Sequence, residues 1–234
     1  MRFLCVADQI DPSVYSSTAK QRFADIDAVL CAGDLPMDYI DFVVSTLNKP
    51  TFFIFGNHNL KDFSYYHGGP AQSQIAGRPA AITHCHGAEY AGFRVLAVKD
   101  LMLTDAQTHR KTPLLIAGVS GSLRYNNGIN QYSETEMFFK LLHMWPRLLL
   151  NRILYGRYLD ILLTHAAPRH IHDLEDSCHR GFECFRWFMK KFQPVWLVHG
   201  HIHLYDVRTE RVTQFGATTV VNAYGYYIIE IPPK

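Results

Sequence analysis

The chain has 234 residues, of which 48% are hydrophobic and 19% charged, and its formal net charge is +2 at neutral pH. A charge so close to zero excludes a nucleic-acid binder that works through bulk charge. The length suits one large domain or two small ones, and with no repeat, low-complexity tract or linker in view we read a single domain over 1–234.

Arg2 to Ala7 reads as a buried strand that ends at Asp8. Asp11-Pro12 opens a predicted helix through about Phe23. Ala28 to Cys31 is a second strand, ending in Ala32-Gly33-Asp34, and Tyr39 to Leu47 has helical spacing. Thr51 to Phe55 is a third strand, ending in Gly56-Asn57-His58-Asn59. Strand, helix, strand, helix, strand in this order reads as βαβ units. Lys61 to Pro79 is rich in Gly, Ser and Tyr and reads as a loop. Ile82-Thr83-His84, Phe93 to Val98 and Leu114 to Val119 follow as strands, then a glycine-rich stretch from Gly118 to Gly128. Ser133-x-x-Glu136 is a capping-box signature, predicting a helix to about Tyr158 that Pro146 kinks or splits. Ile161 to Thr164 is a strand ending at His165, Phe182 to Phe192 is helical, and Val195 to Val198 is a strand ending in His199-Gly200-His201-Ile202-His203. Arg211 to Phe215, Thr218 to Asn222 and Tyr226 to Ile231 complete the strands.

No apolar run reaches the ~20 residues of a membrane span. Five cysteines without a Cys-x-x-Cys pair argue against a zinc ribbon. Cys5 and Cys31 lie in apolar runs, which predicts buried, reduced thiols and a cytoplasmic setting. The first strand leaves no room ahead of it for a signal peptide.

Polar residues stand just past the C-terminal ends of the strands, where open α/β sheets place ligands. They are Asp8, Asp34, Asn57 with His58, His165, and His201 with His203. Carboxylate, amide and imidazole together suit divalent ions from hard to borderline. Each residue also has an ordinary reading: the aspartates as caps, Asn57 as a turn residue, His165 as a satisfied strand-end histidine. The order and loop context of the whole set favour the metal reading.

The stretches Val6-Ala7-Asp8, Gly33-Asp34-Leu35, Gly56-Asn57-His58-Asn59, Leu163-Thr164-His165-Ala166-Ala167-Pro168 and His199-Gly200-His201-Ile202-His203 resemble the motifs of the calcineurin-like metallophosphoesterases. The resemblance runs from the first strand almost to the end. It implies a four-layer α/β sandwich of two mixed β-sheets flanked by helices, with two divalent metal ions (Mn, Fe, Zn or Mg) at the strand ends. Carried over by position, Asp34 would bridge the ions. Asn57, His165 and His201 would complete one, and Asp8 and His203 would hold the other. His58 would stand beside the phosphate as the catalytic residue. A metal-bridging hydroxide would attack phosphorus in line.

One departure matters. The family pattern has Asp-x-His at the first motif, whereas here the chain reads Asp8-Gln9-Ile10, and isoleucine cannot ligate. Asp11 could replace the missing imidazole and favour a harder ion, or it could only cap the helix and leave a weak site. The protein could also work with one ion or have lost catalysis.

Arg124 and Tyr125, on the loop after a strand, and His172 and His179, on the loop after His165, are candidate substrate contacts. The helix from 134 to 158 is apolar on most of its surface, with Lys140, His143, Arg147 and Asn151 as a narrow polar stripe. A core position, a homodimer interface and membrane-surface contact are the three readings of it. The functional expectation is a metal-dependent phosphoesterase, with a phosphodiesterase favoured by family habit. The alternatives are a catalytically weak or inactive scaffold of the same fold, and a hydrolase of a lipid-linked phosphoester.

Overall fold

Short runs of aliphatic and β-branched residues pair into two six-stranded sheets in a computed structural model that describes residues 1–67, 84–85, 87–104, 109–206 and 208–232. The first sheet has the order β14 (Gly225–Glu230), β1 (Arg2–Ala7), β2 (Ala28–Cys31), β3 (Thr51–Phe53), β5 (Ala88–Tyr90), β4 (His84–Cys85). Strands β1, β2, β3 and β5 run parallel, and β14 and β4 are antiparallel edges. The second sheet has the order β12 (Val212–Phe215), β13 (Thr218–Asn222), β11 (Trp196–His199), β10 (Ile161–Thr164), β7 (Lys111–Val119), β6 (Arg94–Thr104). Again the middle strands are parallel and the edges antiparallel. The small pair β8 (Ser122–Leu123) and β9 (Gln131–Tyr132) stands apart.

Side chains alternate along each inner strand, so one face of each sheet meets the other sheet and one meets helices. Phe3, Cys5 and Ala7 of β1 join Leu30, Ile116, Ile161, Leu163 and Val198 in the core between the sheets. Leu4 and Val6 turn the other way, toward Ile40 and Val43 of α2 (Met37–Leu47) and Ala19 of α1 (Ala19–Arg22). On the far side, Leu115, Ala117 and Leu162 pack on α4 (Glu134–Tyr155) and α5 (Glu183–Phe192) through Met137, Leu141, Phe185 and Phe188. Helix, sheet, sheet, helix is the four-layer sandwich that the motifs implied. Each fully buried aliphatic side chain contributes about 1.5–3 kcal/mol.

Several predicted elements differ. The helix expected from Asp11 shrinks to the four residues of α1. Between them the chain makes a turn, with the Val14 and Tyr15 amides both donating to the Asp11 carbonyl. Ser16 donates to the Ser13 carbonyl and pairs with Thr18, and such local side-chain bonds compete with a continuous helix. Strand β3 stops at Phe53, because the Phe55 amide leaves the ladder for the Ser120 hydroxyl. The stretch read as a loop after Lys61 contains α3 (Phe63–His67), whose Tyr66 is buried against the aromatic cluster of Phe53, Phe55 and Tyr90. The rest of that loop, 68–79, lies outside the described residues, as do Ile82 and Thr83 of the strand predicted there.

Ser133 caps α4 with a complete capping box. The helix runs through Pro146 unsplit and ends at Tyr155, three residues early, where Gly156 takes φ 77°. Asn151, expected in the polar stripe, is instead fully buried and donates to the Tyr158 carbonyl. Trp145 turns inward against Trp187 and Phe192 of α5.

Candidate metal centre

Two sheets supply the site, each from the C-terminal ends of its parallel strands. Asp8, Asp34 and Asn57 follow β1, β2 and β3, while His165 follows β10 and His201 follows β11. The turns that release them are tight. Asp8, Asp34 and His201 all have positive φ, at 63°, 55° and 69°. That conformation is uncommon for non-glycine residues and clusters at functional sites. Gly56 lets the turns approach, since a Cβ there would lie 2.1 Å from Asp34 Oδ1 and 2.5 Å from His165 Cε1.

The donor atoms of Asp34, His165 and His201 lie within 4.8 Å of one another, and all three residues are buried. Asn57 joins them, with its Oδ1 3.1 Å from His165 Nε2. His165 Nδ1 is 2.9 Å from the Ala32 carbonyl and donates to it, so Nε2 is the nitrogen left to face Asp34 at 3.3 Å. His201 is fixed from its other side, with Nε2 donating to the Cys178 carbonyl at 2.7 Å, which leaves Nδ1 free. The Tyr125 hydroxyl accepts from Asn57 Nδ2 at 3.2 Å and so orients the amide oxygen inward. Asn130 Nδ2 holds the Gly56 carbonyl at 2.6 Å, and the His58 amide donates to Asp34 Oδ1 at 2.7 Å. Backbone and side-chain bonds behind a donor set its direction and tautomer.

Electrostatics tie the group together. Burial lifts the Asp34 carboxyl, yet the neighbouring His165 charge and hydrogen bond and the His58 amide outweigh it and hold it down at about 2. Burial depresses His165, but Asp34 and then Asp8 reverse this and raise it to about 9. Without a metal, the pair is a carboxylate holding an imidazolium. Burial and the positive His165 push His201 down to about 3, so it is neutral and able to ligate. Burial pushes Asp8 up to about 7, helped by Asp34 and opposed by His165 and the His201 amide. A cation between these carboxylates would remove both penalties, and neutral imidazole and carboxylate are the donor types a divalent ion takes. The donor set therefore fits a divalent metal.

The other candidates fall at different distances from this centre. Asp8 is joined to it through the His201 amide, which bonds both carboxylate oxygens at 2.9 and 3.0 Å. His58 is exposed, and its charge bears on both Asp34 and His203. His203 is exposed, with Nδ1 2.9 Å from the Tyr205 hydroxyl and its ring 5.0 Å from that of Tyr224. Asp11 accepts from the Ser13 amide at 2.7 Å and lines a cavity of about 460 Å³ with Arg211, Tyr224 and Tyr226. Its hydrogen bond is thus made within its own turn, and Tyr224, which lines the same cavity, has its ring against that of His203. Arg124 is held by Glu136 in the α4 capping box at 2.8 Å. His172 bonds His199 and Thr213 at 3.0 and 2.8 Å, beneath the Gly200 turn. The His179 ring is 5.4 Å from His201 while its Nδ1 holds Asp176. Asn130, Tyr224 and the Cys178 carbonyl had no signal in the sequence, because each reaches the site only through tertiary contact.

The pattern of the calcineurin-like phosphoesterases matches residues 1–205. The chain belongs to the calcineurin-like phosphoesterase family. It is therefore a member of a family of metal-dependent phosphoester hydrolases, and the buried donor cluster is where such a family member would bind its metal. Among solved structures, one crystal structure superposes with a TM-score of 0.62 at 12% identity, covering 97% of this chain and 94% of that one. Another, of the protein TT1561 from Thermus thermophilus, gives 0.58 at 14% identity and covers 95% and 88%. These identities speak for the phosphoesterase fold alone. No curated protein sequence matches the chain. Among the described residues no helix is long and apolar enough to cross a membrane.

Proposed function

We propose that the whole chain, 1–234, is one phosphoesterase domain that cleaves a small phosphate ester, with a diester preferred over a monoester. The observation that carries the reading is the buried Asp34, His165 and His201 group, with donors within 4.8 Å. Asp34, Asn57, His165 and His201 would hold a first divalent ion. Asp8, Asp34 and His203 would hold a second, weaker one. When bound, such ions supply positive charge to the phosphate oxygens and acidify the water that attacks phosphorus.

The chain's own groups prepare this. Asp34 would serve both donor sets, being 3.3 Å from His165 Nε2 and close enough for its charge to act on Asp8 and His203. Asn57, locked by Tyr125, offers an oxygen and not an amide hydrogen. The His58 imidazole, exposed beside Asp34, is free to hydrogen-bond a phosphate oxygen or pass a proton to the leaving group. His179, its ring 5.4 Å from that of His201, is the nearer of the two loop histidines and would be the one to contact substrate. The free, buried thiols of Cys5, Cys31 and Cys184 favour a reducing, cytoplasmic setting.

Hydrolysis of bis(p-nitrophenyl) phosphate and p-nitrophenyl phosphate with added Mn²⁺ tests the reading. Wild type should turn over the diester faster. Asp34→Asn and His58→Ala should each lose on the order of a hundredfold or more in rate. No metal-dependent turnover of either ester would leave a scaffold of the same fold as the better account.

A further inference from the structure

The α4 helix carries two apolar stripes, and the fold uses only one. Met137, Leu141, Met144 and Leu148 are buried on the second sheet. On the opposite face Phe139, Leu142, Pro146, Leu149 and Ile153 recur at alternating steps of three and four residues, which keeps them on one side of a helix. Ile153 is 79% exposed and Leu149 45%, and Phe139, Leu150 and Leu154 are exposed beside them. A groove toward α5, lined by Phe138, Phe139 and Trp187 with the carboxylates of Glu134 and Glu183, bounds this surface at the start of the helix.

Charge decides what could cover it. From Met137 to Tyr155 the helix contains Lys140, Arg147 and Arg152 but neither Asp nor Glu. At 100° per residue, Arg147 flanks the outer stripe on one side and Arg152 on the other. The last turn of α5 adds Lys190 and Lys191, and Lys191 lies 5.4 Å over the Trp145 ring at the edge of the stripe. Among the described residues, Arg147, Arg152, Lys190 and Lys191 form no ion pair with a carboxylate. A second copy of this face would bring these bases against one another, whereas an anionic surface would neutralise them.

We propose that the outer face of α4, with the last turn of α5, docks the protein on an anionic lipid surface, lying in the interface without crossing it. An apolar stripe flanked by bases is the form such contacts take. The contact is independent of the phosphoesterase chemistry and stands or falls without it.

The test is co-sedimentation of the full chain with phosphatidylcholine vesicles, and with the same vesicles containing about a third phosphatidylglycerol. Wild type should pellet with the anionic vesicles only, and less as salt rises. The double variants Leu149→Glu/Ile153→Glu and Arg147→Glu/Lys191→Glu change exposed positions and should keep the wild-type circular dichroism and melting temperature. Each should bind anionic vesicles weaker by on the order of tenfold or more. No binding by wild type, or binding by either variant as strong as that of wild type, would overturn the proposal. A concentration-dependent dimer that dissociates in Leu149→Glu/Ile153→Glu, with no vesicle binding, would assign the face to self-association and overturn it as well.

Discussion

His165 holds a proton beside the ionised Asp34, and a metal would have to displace it. His165 is raised from its ordinary value of 6.5 toward about 9. The folded state therefore holds this proton where the unfolded chain has released it. The resulting stability is complete below pH 6.5 and is lost as pH rises toward 9. The metal-free protein, kept in chelator, should melt at progressively lower temperature across that window. Saturating metal should abolish the decline, because His165 then carries no proton. Melting profiles with and without metal decide it, and a flat metal-free profile would remove the imidazolium. The two histidines after Gly200 should differ just as clearly. His201→Ala should abolish tight metal binding, whereas His203→Ala should cost only a weaker ion, as calorimetric titration with Mn²⁺ would show. Tyr125→Phe frees the Asn57 amide to rotate and should weaken the tight site about 10-fold or more. The donor types were legible in the sequence. The tautomers were not, because they depend on carbonyls such as Ala32 and Cys178 that become neighbours only on folding.

Among the elements, local signals succeeded where they did not have to compete. Ser133 and Glu136 close a capping box on α4, with the Glu136 amide donating to Ser133 Oγ at 3.2 Å and Glu136 accepting from the Ser133 amide at 2.7 Å. Ser133→Ala should lower stability by about 1 kcal/mol in urea unfolding, with an unchanged slope. Asp11-Pro12 carries a comparable start signal but leads only to a turn, because the serines and threonine that follow bond locally. Pro146 did not break α4, whose packing of Leu141, Met144 and Leu148 on the sheet outweighs one lost backbone bond. Strand β5 and the pair β8 and β9 went unread, being three residues or fewer each, too short to show a period.

At the scale of the molecule, the site is a seam. Asp8, Asp34 and Asn57 come from one sheet, and His165 and His201 from the other. The buried layer between the sheets therefore sets the distances in the candidate metal centre. Ile116→Ala, in the middle of that layer, should cost about 2–5 kcal/mol of stability. Gly56→Ala should act differently. Its Cβ would displace Asp34 and His165, so metal binding should fall far more than the denaturation midpoint moves. Titration calorimetry beside urea melts separates the two, and a Gly56→Ala protein that binds metal normally would count against the close packing of these turns.

The sequence alone determined the longer strands, the family and the kinds of atom offered at each strand end, because hydrophobic period and short motifs are local properties of the chain. It also marked Ile10 as the one position where the first motif fails. Only the tertiary structure decided which donors meet. It drew Asp34, Asn57, His165 and His201 into one buried group. It left His203 at the rim, turned Asp11 toward Ser13, and committed Arg124 to Glu136. It divided the apolar surface of α4 into a covered face and an open one. The meeting of the donors depends on how two sheets, distant in sequence, settle against each other, and no stretch of either sheet encodes that contact by itself.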